Sequence, residues 1–306
     1  MMPQIIIVCG PTASGKSALA IELAKKLNTE IISADSLAVY KRLDIGTAKP
    51  TKSEQNEIKH HLIDVVEPSE SFSVSDYESL ALPIVEDLLS KGKTPIICGG
   101  TGFYINSILY KLSYGETSEN LEVREKYFEL YKSEGVDAVY KVLQEVDPES
   151  CKKIHKNDVV RVIRALEIYF ATGKKKSLQN DKFEPRYTYL AVCPDINREE
   201  LYNRINLRVD KMFELGLVDE VKGLIDSGID KNYQCMQGIG YKEIYDGIEN
   251  SDLITAKELV KLNSRHYAKR QITFFKRLDG LKTVNKDPKI AVLDILDYIN
   301  GIKPNL

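Results

Sequence analysis

The chain has 306 residues, of which 43 are Lys or Arg and 45 are Asp or Glu, so its formal net charge is −2. With 43% hydrophobic and 29% charged residues, the composition is that of a globular protein and excludes wholesale disorder. A chain of this length forms one large domain or two smaller ones. The balanced charge argues against a generally basic nucleic-acid binder, because phosphate contacts need clustered Lys and Arg.

Simple counts exclude several other classes of protein. No run reaches the roughly 18 consecutive apolar residues of a membrane-spanning helix. The apolar N-terminus lacks the basic start and the small-residue cleavage site of a signal peptide. The five cysteines lie far apart and form no C-x-x-C pair, which predicts neither a zinc site nor a disulfide framework. Reduced thiols are typical of the cytosol, so we expect a cytoplasmic protein.

The first third of the chain alternates apolar strands with amphipathic helices. Strands are predicted over residues 5–9, 30–33, 61–66 and 95–98, and helices over residues 17–27 and 75–89. The first run is apolar throughout, as in a strand that is buried on both faces. This order predicts an α/β fold in which helices flank a parallel sheet.

The pattern changes to charged helices from about residue 113 to residue 151. We therefore predict a helical insertion domain over residues 114–151, and a catalytic core formed by residues 1–113 and 152–306. Helices are predicted in the second part of the core over residues 159–170, 199–225 with a break near Gly216, 256–277 and 290–299. Strands are predicted over residues 187–192 and 281–284.

A phosphate-binding motif directly follows the first predicted strand. The motif G-x-x-x-x-G-K-[ST] is matched by Gly10, Pro11, Thr12, Ala13, Ser14, Gly15, Lys16 and Ser17. Its glycines let backbone N–H groups surround an anion, and Lys16 adds a point charge. Ser17 is the residue type that reaches Mg²⁺. The motif makes the fold P-loop NTPase-like, but its ligand is either a nucleotide or a pyrophosphate.

Asp35 follows the second predicted strand, at the sheet edge where open α/β folds bind ligands. A carboxylate there can act as a general base or hold Mg²⁺, and it can equally cap a turn. The phosphate loop and Asp35 together do not distinguish a kinase from another transferase.

A longer string of residues does make that distinction. Together with the phosphate loop, DSLAVYKRLDIGTAKP over residues 35–50 resembles the tRNA dimethylallyltransferase (tRNA isopentenyltransferase) family, in its bacterial form. Further matches in the same order are HHLID over residues 60–64, GGTGFY over 99–104, Arg161, RALE over 164–167, Arg204, Arg208, Gly240, Tyr241 and YAKRQ over 267–271. The resemblance runs from about residue 5 to residue 277.

The resemblance implies transfer of a dimethylallyl group from dimethylallyl pyrophosphate to N6 of the adenosine 3′ of the tRNA anticodon, position 37. It implies that the phosphate loop holds the pyrophosphate with Mg²⁺ and that Asp35 is the general base. Thr101 would contact the target nucleotide or the transferred group, while Arg204 and Arg208 would face the pyrophosphate. For either arginine, a solvated ion pair on a helix is the alternative interpretation.

The resemblance also implies a set of tRNA contacts. They are Asp35, Ser36, Leu37, Ala38, Thr101, Arg124, Val160, Arg161, Arg164, Gln237, Gly240, Tyr241, Lys242, Lys269, Arg270, Gln271 and Lys276. Residues 152–176 and 257–282 each contain eight Lys or Arg against two acids, a local net charge of +6, which favours RNA backbone contact over an ordinary solvated face. Val160 and Phe274 stand where the family commonly has Gln and Trp.

Three competing functions remain at this stage. A relative that prenylates free adenine nucleotides would not need the insertion or the basic C-terminal helix. An unrelated P-loop kinase would not explain residues 35–50. A non-catalytic RNA-binding protein would not need Lys16, Ser17 and Asp35. Without an evident apolar interface stripe, we expect a monomer.

Overall fold

The computed structural model describes residues 3–112, 121–179 and 184–301. The chain divides into two compact units. One unit comprises Met1–Leu109 together with Pro185–Leu306, and the other comprises Tyr110–Glu184. In the described ranges, no helix is both long enough and apolar enough to cross a membrane.

The first unit is built on a six-stranded parallel sheet with the strand order β3-β2-β4-β1-β5-β6. Its strands are β1 (Ile5–Cys9), β2 (Ile31–Ala34), β3 (His60–His61), β4 (Ile96–Gly99), β5 (Tyr189–Pro194) and β6 (Lys282–Val284). The central strands β1, β2 and β4 are buried along their whole length, since helices cover both faces. The predicted α/β fold with a parallel sheet is confirmed.

The third strand is much shorter than its predicted range of 61–66. Leu62 and Asp64 have φ values of 61° and 56°, which are incompatible with an extended strand. Beyond this turn, backbone hydrogen bonds join residues 64–66 to the segment that follows β2, including an isolated parallel bridge between Tyr40 and Val66. The side chain of Lys49 lies 2.5 Å from Asp64 Oδ1, and this tertiary ion pair stabilises the turn.

Helices surround the sheet on both sides. In the first part of this unit they are α1 (Lys16–Leu27), α2 (Lys52–Glu57), α3 (Val74–Ser90) and α4 (Gly102–Leu109). The apolar face of α1, including Leu19 and Leu23, packs with Ile6 and Val8 of β1 in one buried cluster. This packing fixes the start of α1 directly after the phosphate loop.

The second unit is helical in the residues that are described. It contains α5 (Leu121–Glu134), α6 (Val136–Val146), α7 (Pro148–Cys151) and α8 (Val159–Thr172). Val162 and Leu166 of α8 belong to the same core cluster as Leu143 of α6 and Tyr127 of α5. The compact unit therefore extends to Glu184, whereas the insertion was predicted to end at residue 151. The basic residues 152–176 lie in this unit.

Five more helices complete the first unit. They are α9 (Arg198–Glu214), α10 (Leu217–Asp226), α11 (Tyr241–Glu249), α12 (Leu253–Phe275) and α13 (Pro288–Ile299). The predicted break near Gly216 is confirmed, because Gly216 has a φ of 95° and separates α9 from α10. The predicted long basic helix is α12, which has 23 residues.

The carboxyl ends of three central strands bring three loops together. The phosphate loop follows β1, Asp35 follows β2, and Gly100 with Thr101 follows β4. The approach is close, since a Cβ built on Gly99 would lie 2.0 Å from the carbonyl oxygen of Ala34. Thr101 N donates to that same carbonyl oxygen at 3.0 Å. The sheet thus places the predicted catalytic residues at one edge.

Candidate active site

The phosphate loop has the backbone conformation that its glycines permit. Gly10 and Gly15 have φ values of 142° and 92°, in the region that L side chains rarely adopt. Gly15 is the N-cap of α1 and makes no side-chain cap, so the first N–H groups of the helix remain available for an anion. The hydroxyl of Ser14 is buried and makes no hydrogen bond within the described residues. A buried donor in this position fits an oxyanion ligand.

Lys16 lies half-buried beneath this loop. Its Nζ is 3.4 Å from the carbonyl oxygen of Pro11. Burial lowers the pKa of Lys16, and the charge of Arg208 lowers it further, while Cys98 and Asp35 act in the opposite direction. An incoming anion would supply the counter-charge that the protein itself provides only in part.

Arg204 and Arg208 lie one turn apart on α9. The Arg208 guanidinium donates to the carbonyl oxygen of Thr47 at 3.0 Å, and burial lowers its pKa while Asp35 opposes that shift. Arg204 forms an ion pair with Glu200 at 2.8 Å, and its Nη1 lies 3.8 Å from the position of a Cβ built on Gly15. Arg204 therefore lies beside the loop, and Arg208 is near enough for its charge to act on Lys16. The ion pair that is the alternative interpretation for Arg204 is also present.

Asp35 has a fixed orientation at the end of β2. Its Oδ1 accepts hydrogen bonds from the backbone N–H groups of Leu37 at 3.0 Å and Ala38 at 3.3 Å. Within the described contacts, its hydrogen bonds are made through Oδ1. The carboxylate therefore caps a turn, as one interpretation of the sequence held, and a second oxygen is available for chemistry.

Thr101 is joined to the Asp35 turn by hydrogen bonds. Its Oγ1 accepts from the backbone N–H of Ser36 at 3.0 Å and donates to Ser36 Oγ at 3.3 Å. Tyr267 of α12 adjoins the same group. Burial raises the pKa of Tyr267 to about 12, the negative charge of Asp35 adds to that shift, and hydrogen bonding with Thr101 and Gln271 opposes it.

A cavity of about 360 Å³ opens beside these groups. Eight of the predicted site residues line it, namely Thr12, Asp35, Ser36, Leu37, Arg208, Gln237, Gly240 and Arg270. Its apolar wall includes Ile205, Val209, Met212 and Val260. The cavity thus brings the charged groups of Asp35 and Arg208 together with apolar side chains, which suits a ligand that has an anionic group and a hydrocarbon group.

Some predicted tRNA contacts are exposed and others are buried. Lys242, Lys269, Arg270 and Lys276 are exposed. The side chains of Ala38, Tyr241 and Gln271 are buried. Tyr241 donates to Glu220 at 2.7 Å and packs so tightly against Gly46 that a Cβ there would lie 2.6 Å from the ring. These three side chains therefore pack below the protein surface and are not part of the solvent-exposed surface.

The second unit carries four further predicted contacts. Glu167 is fully buried, and its two oxygens lie 3.2 Å from an Arg124 nitrogen and 2.8 Å from an Arg164 nitrogen. Val160 and Arg161 differ from them, since the Val160 residue is 69% exposed and the Arg161 side chain is 71% exposed. Arg161 is consequently the predicted cationic contact of this unit that is most open to solvent.

The sequence did not identify several residues that shape the site. Glu220 accepts the backbone N–H groups of Asp44, Ile45 and Gly46 at 2.8–3.1 Å, which fixes the segment that carries Thr47. The sequence pointed to Tyr267 only because it begins the YAKRQ segment that matches the family. Glu220 gave no signal, because its partners lie some 175 residues away in the chain.

The chain is similar to known proteins over most of its length. The IPP transferase family matches residues 38–278 of this chain. The tRNA dimethylallyltransferase of Acetivibrio thermocellus is 47% identical over 290 residues, which cover 94% of this chain and 93% of that protein. The tRNA dimethylallyltransferase of Bacillus cereus strain B4264 is 46% identical over 301 residues, with 97% and 95% covered.

Solved structures resemble this fold over nearly the whole chain. The tRNA isopentenylpyrophosphate transferase of Bacillus halodurans has a TM-score of 0.73 and 39% sequence identity, and the match covers 97% of this chain and 95% of that one. A eukaryotic dimethylallyltransferase acting on tRNA has a TM-score of 0.83 and 29% identity, with 99% and 81% covered.

Proposed function

Since the chain belongs to the IPP transferase family, we propose that it transfers a dimethylallyl group from dimethylallyl pyrophosphate to N6 of the adenosine at tRNA position 37. The observation that carries this proposal is the cavity at the sheet edge, where Asp35 and Arg208 share a wall with apolar side chains. A phosphate loop that served a kinase would not need an apolar pocket beside the terminal phosphate.

The pyrophosphate is the leaving group of the proposed reaction. The C1–O bond of the allylic substrate breaks, its electron pair stays on the pyrophosphate, and a new bond forms between C1 and adenine N6. In this proposal Lys16 and the loop N–H groups stabilise the negative charge that develops, assisted by Arg204 beside Gly15 and by Arg208, whose charge acts on Lys16. Preorganised positive groups of this kind stabilise the transition state more than the ground state.

Asp35 accepts the proton that adenine N6 releases. The N6 amine is a weak nucleophile because its lone pair is delocalised into the ring, so removal of the proton assists attack. The two backbone hydrogen bonds to Oδ1 fix the carboxylate, and Thr101 is tied to the same turn through Ser36. Thr101 then orients the target nucleotide or the transferred group.

The oxygen donors near the loop fit a Mg²⁺ ion that is bound mainly through the pyrophosphate. Ser17 is exposed in the first turn of α1, and its hydroxyl would hold the ion. In the described part of the chain, no three His, Cys, Asp or Glu side chains cluster in a metal-binding arrangement, which suits an ion that keeps waters and substrate oxygens as ligands. When bound, Mg²⁺ would neutralise charge on the leaving group.

Transfer RNA is the proposed second substrate. The exposed cations Lys242, Lys269, Arg270 and Lys276 in the first unit, and Arg161 in the second, support phosphate contacts. The target base must leave its stack to enter a cavity at the sheet edge. Monomeric state and cytoplasmic location stay predictions.

The test supplies labelled dimethylallyl pyrophosphate and Mg²⁺ with an unmodified tRNA, with the same tRNA carrying guanosine at position 37, or with AMP. Label in the first tRNA alone supports the proposal. Label in AMP but not in tRNA would establish the free-nucleotide alternative. ATP turnover without any prenyl transfer would establish the kinase alternative.

A further inference from the structure

Gln271 is a buried glutamine on the basic helix α12, only 5% exposed. Its amide makes two main-chain hydrogen bonds. Oε1 accepts from the backbone N–H of Thr12 at 2.8 Å, and Nε2 donates to the carbonyl oxygen of Gly100 at 2.9 Å. Thr12 belongs to the phosphate loop after β1, and Gly100 belongs to the turn after β4. One side chain therefore joins two loops that the fold supplies from different strands.

The surroundings of this amide leave it little freedom. A Cβ built on Gly100 would lie 2.1 Å from Gln271 Nε2, so the amide is packed directly against the turn. A glutamine amide presents an acceptor oxygen and a donor NH₂ group in one plane. A carboxylate would accept from Thr12 but could not donate to Gly100. The site thus requires the two ends of the amide to differ.

We propose that Gln271 is a positioning residue that holds the phosphate loop in register with Thr101. The inference rests on the proposed function, since it assigns the two loops to the pyrophosphate and to the target nucleotide. Tyr267, one turn earlier on α12, adjoins both Thr101 and Gln271 and extends the same connection. The resemblance implies that Gln271 contacts tRNA, whereas in the structure its amide forms hydrogen bonds with the two loops.

Gln271→Glu is the primary test, because it preserves size and the acceptor for Thr12 while removing the donor to Gly100. We expect the affinity for inorganic pyrophosphate with Mg²⁺, measured by calorimetry, to fall at least tenfold, because one buried hydrogen bond is lost and a negative charge is added beside an anion site. The affinity for an anticodon stem-loop should change less than twofold. Gln271→Met removes both hydrogen bonds without adding a charge, so we expect it to lower pyrophosphate affinity about tenfold or more through the lost hydrogen bonds alone.

A pH series separates positioning from simple loss of stability. Once protonated, the introduced carboxyl group regains an O–H donor for Gly100 and loses the added negative charge, whose effect Gln271→Met separates from that of the hydrogen bonds. The rate of the variant divided by the wild-type rate should therefore rise as the pH falls from 8 toward 5.5. Division by the wild-type rate removes the pH effects that the variant and the wild type share. Gln55→Glu is the matched control, since Gln55 donates its amide to the carbonyl oxygen of Pro50 at 2.7 Å, outside the site, and its ratio should stay flat.

Three outcomes overturn the inference. Gln271 is an RNA contact if Gln271→Glu loses stem-loop affinity and keeps pyrophosphate affinity. It is merely structural if activity falls together with the melting temperature and the ratio does not recover at low pH. It is dispensable if nothing changes.

Gly100→Ala displaces the amide from the opposite side and should reproduce the tenfold loss, which decides the matter if Gln271→Glu does not fold. Pyrophosphate binding needs no prenyl acceptor. Failure of the wild type to modify tRNA would therefore reject the proposed function while leaving the comparison of pyrophosphate affinities intact.

Discussion

Asp35→Asn is the most direct test of the proposed chemistry. Asparagine keeps the length of the side chain, and its Oδ1 can still accept from Leu37 and Ala38, whose nitrogens lie 3.0 and 3.3 Å from the aspartate oxygen. The turn and the melting temperature should therefore be preserved. What the substitution removes is the basicity of the carboxylate and its negative charge.

The expected loss follows from the role of a general base. Such a group contributes about 10²- to 10⁴-fold to a rate, so kcat should fall by that factor, or about 3–5 kcal/mol in activation free energy. Pyrophosphate affinity should hold or rise, because a negative charge that acts on Lys16 and Arg208 is lost from an anion site. Asp35→Ala should lose stability as well, since the two N–H groups are then unpaired.

Single-turnover transfer from labelled dimethylallyl pyrophosphate to tRNA measures the rate, and calorimetry with inorganic pyrophosphate measures binding. Asp230→Asn is a matched control, because Asp230 also accepts a backbone N–H two residues later, at 2.8 Å, in an exposed loop outside the site. A variant of Asp35 that transfers within threefold of the wild-type rate would refute its role as base. A parallel loss of pyrophosphate affinity would show that the carboxylate acts in substrate binding.

Three further predictions concern binding and stability. Lys16→Met should weaken pyrophosphate binding roughly 10- to 100-fold in calorimetry, as expected for a lost charged hydrogen bond, and unchanged binding would remove Lys16 from the site. Burial acts to raise the pKa of Glu30, but hydrogen bonds from Lys93 and His61 outweigh it and lower the pKa to about 2. The carboxylate therefore stabilises the fold above pH 4.5, and that stability is lost as the pH falls toward 2. Glu30→Gln should lower the free energy of unfolding in urea by about 1–3 kcal/mol at pH 7 and by much less near pH 2, and an equal loss at both values would contradict the linkage. Tyr241→Phe should cost about 1 kcal/mol of stability through its lost hydrogen bond to Glu220, and reduced tRNA affinity in a gel shift would show that the buried ring contacts RNA after all.

Local patterns in the sequence were sufficient for the central sheet and the phosphate loop. An apolar run followed by GPTASGKS fixes a buried strand, a glycine turn and a helix start within 23 residues, from Ile5 to Leu27. The same logic located Asp35, because the carboxyl end of a parallel strand is determined by the strand itself. These features depend on neighbours in the chain, and for that reason they were predictable.

The remaining features depend on tertiary partners. The turn at Leu62 and Asp64 replaces a predicted strand, and part of its stabilisation comes from Lys49. The partnership of Arg164 with Glu167 follows from helical spacing, but the contact of Arg124 with the same carboxylate required the packing of α5 on α8. Charge counts could not tell the buried Gln271 from its exposed neighbours, because α12 is polar on most of its surface.

The helix α12 has a consequence for how this protein can be altered. Its 23 residues form a rod of about 34 Å. Exposed Lys269 and Arg270 lie within two residues of Gln271. The proposed RNA surface and the Gln271 hydrogen bond to the phosphate loop therefore belong to one stiff helix. A substitution that shifts the position of α12 should therefore change the affinity for tRNA and the affinity for pyrophosphate together. An engineer who wants a different RNA specificity should therefore replace side chains on its outer face and leave its backbone position untouched.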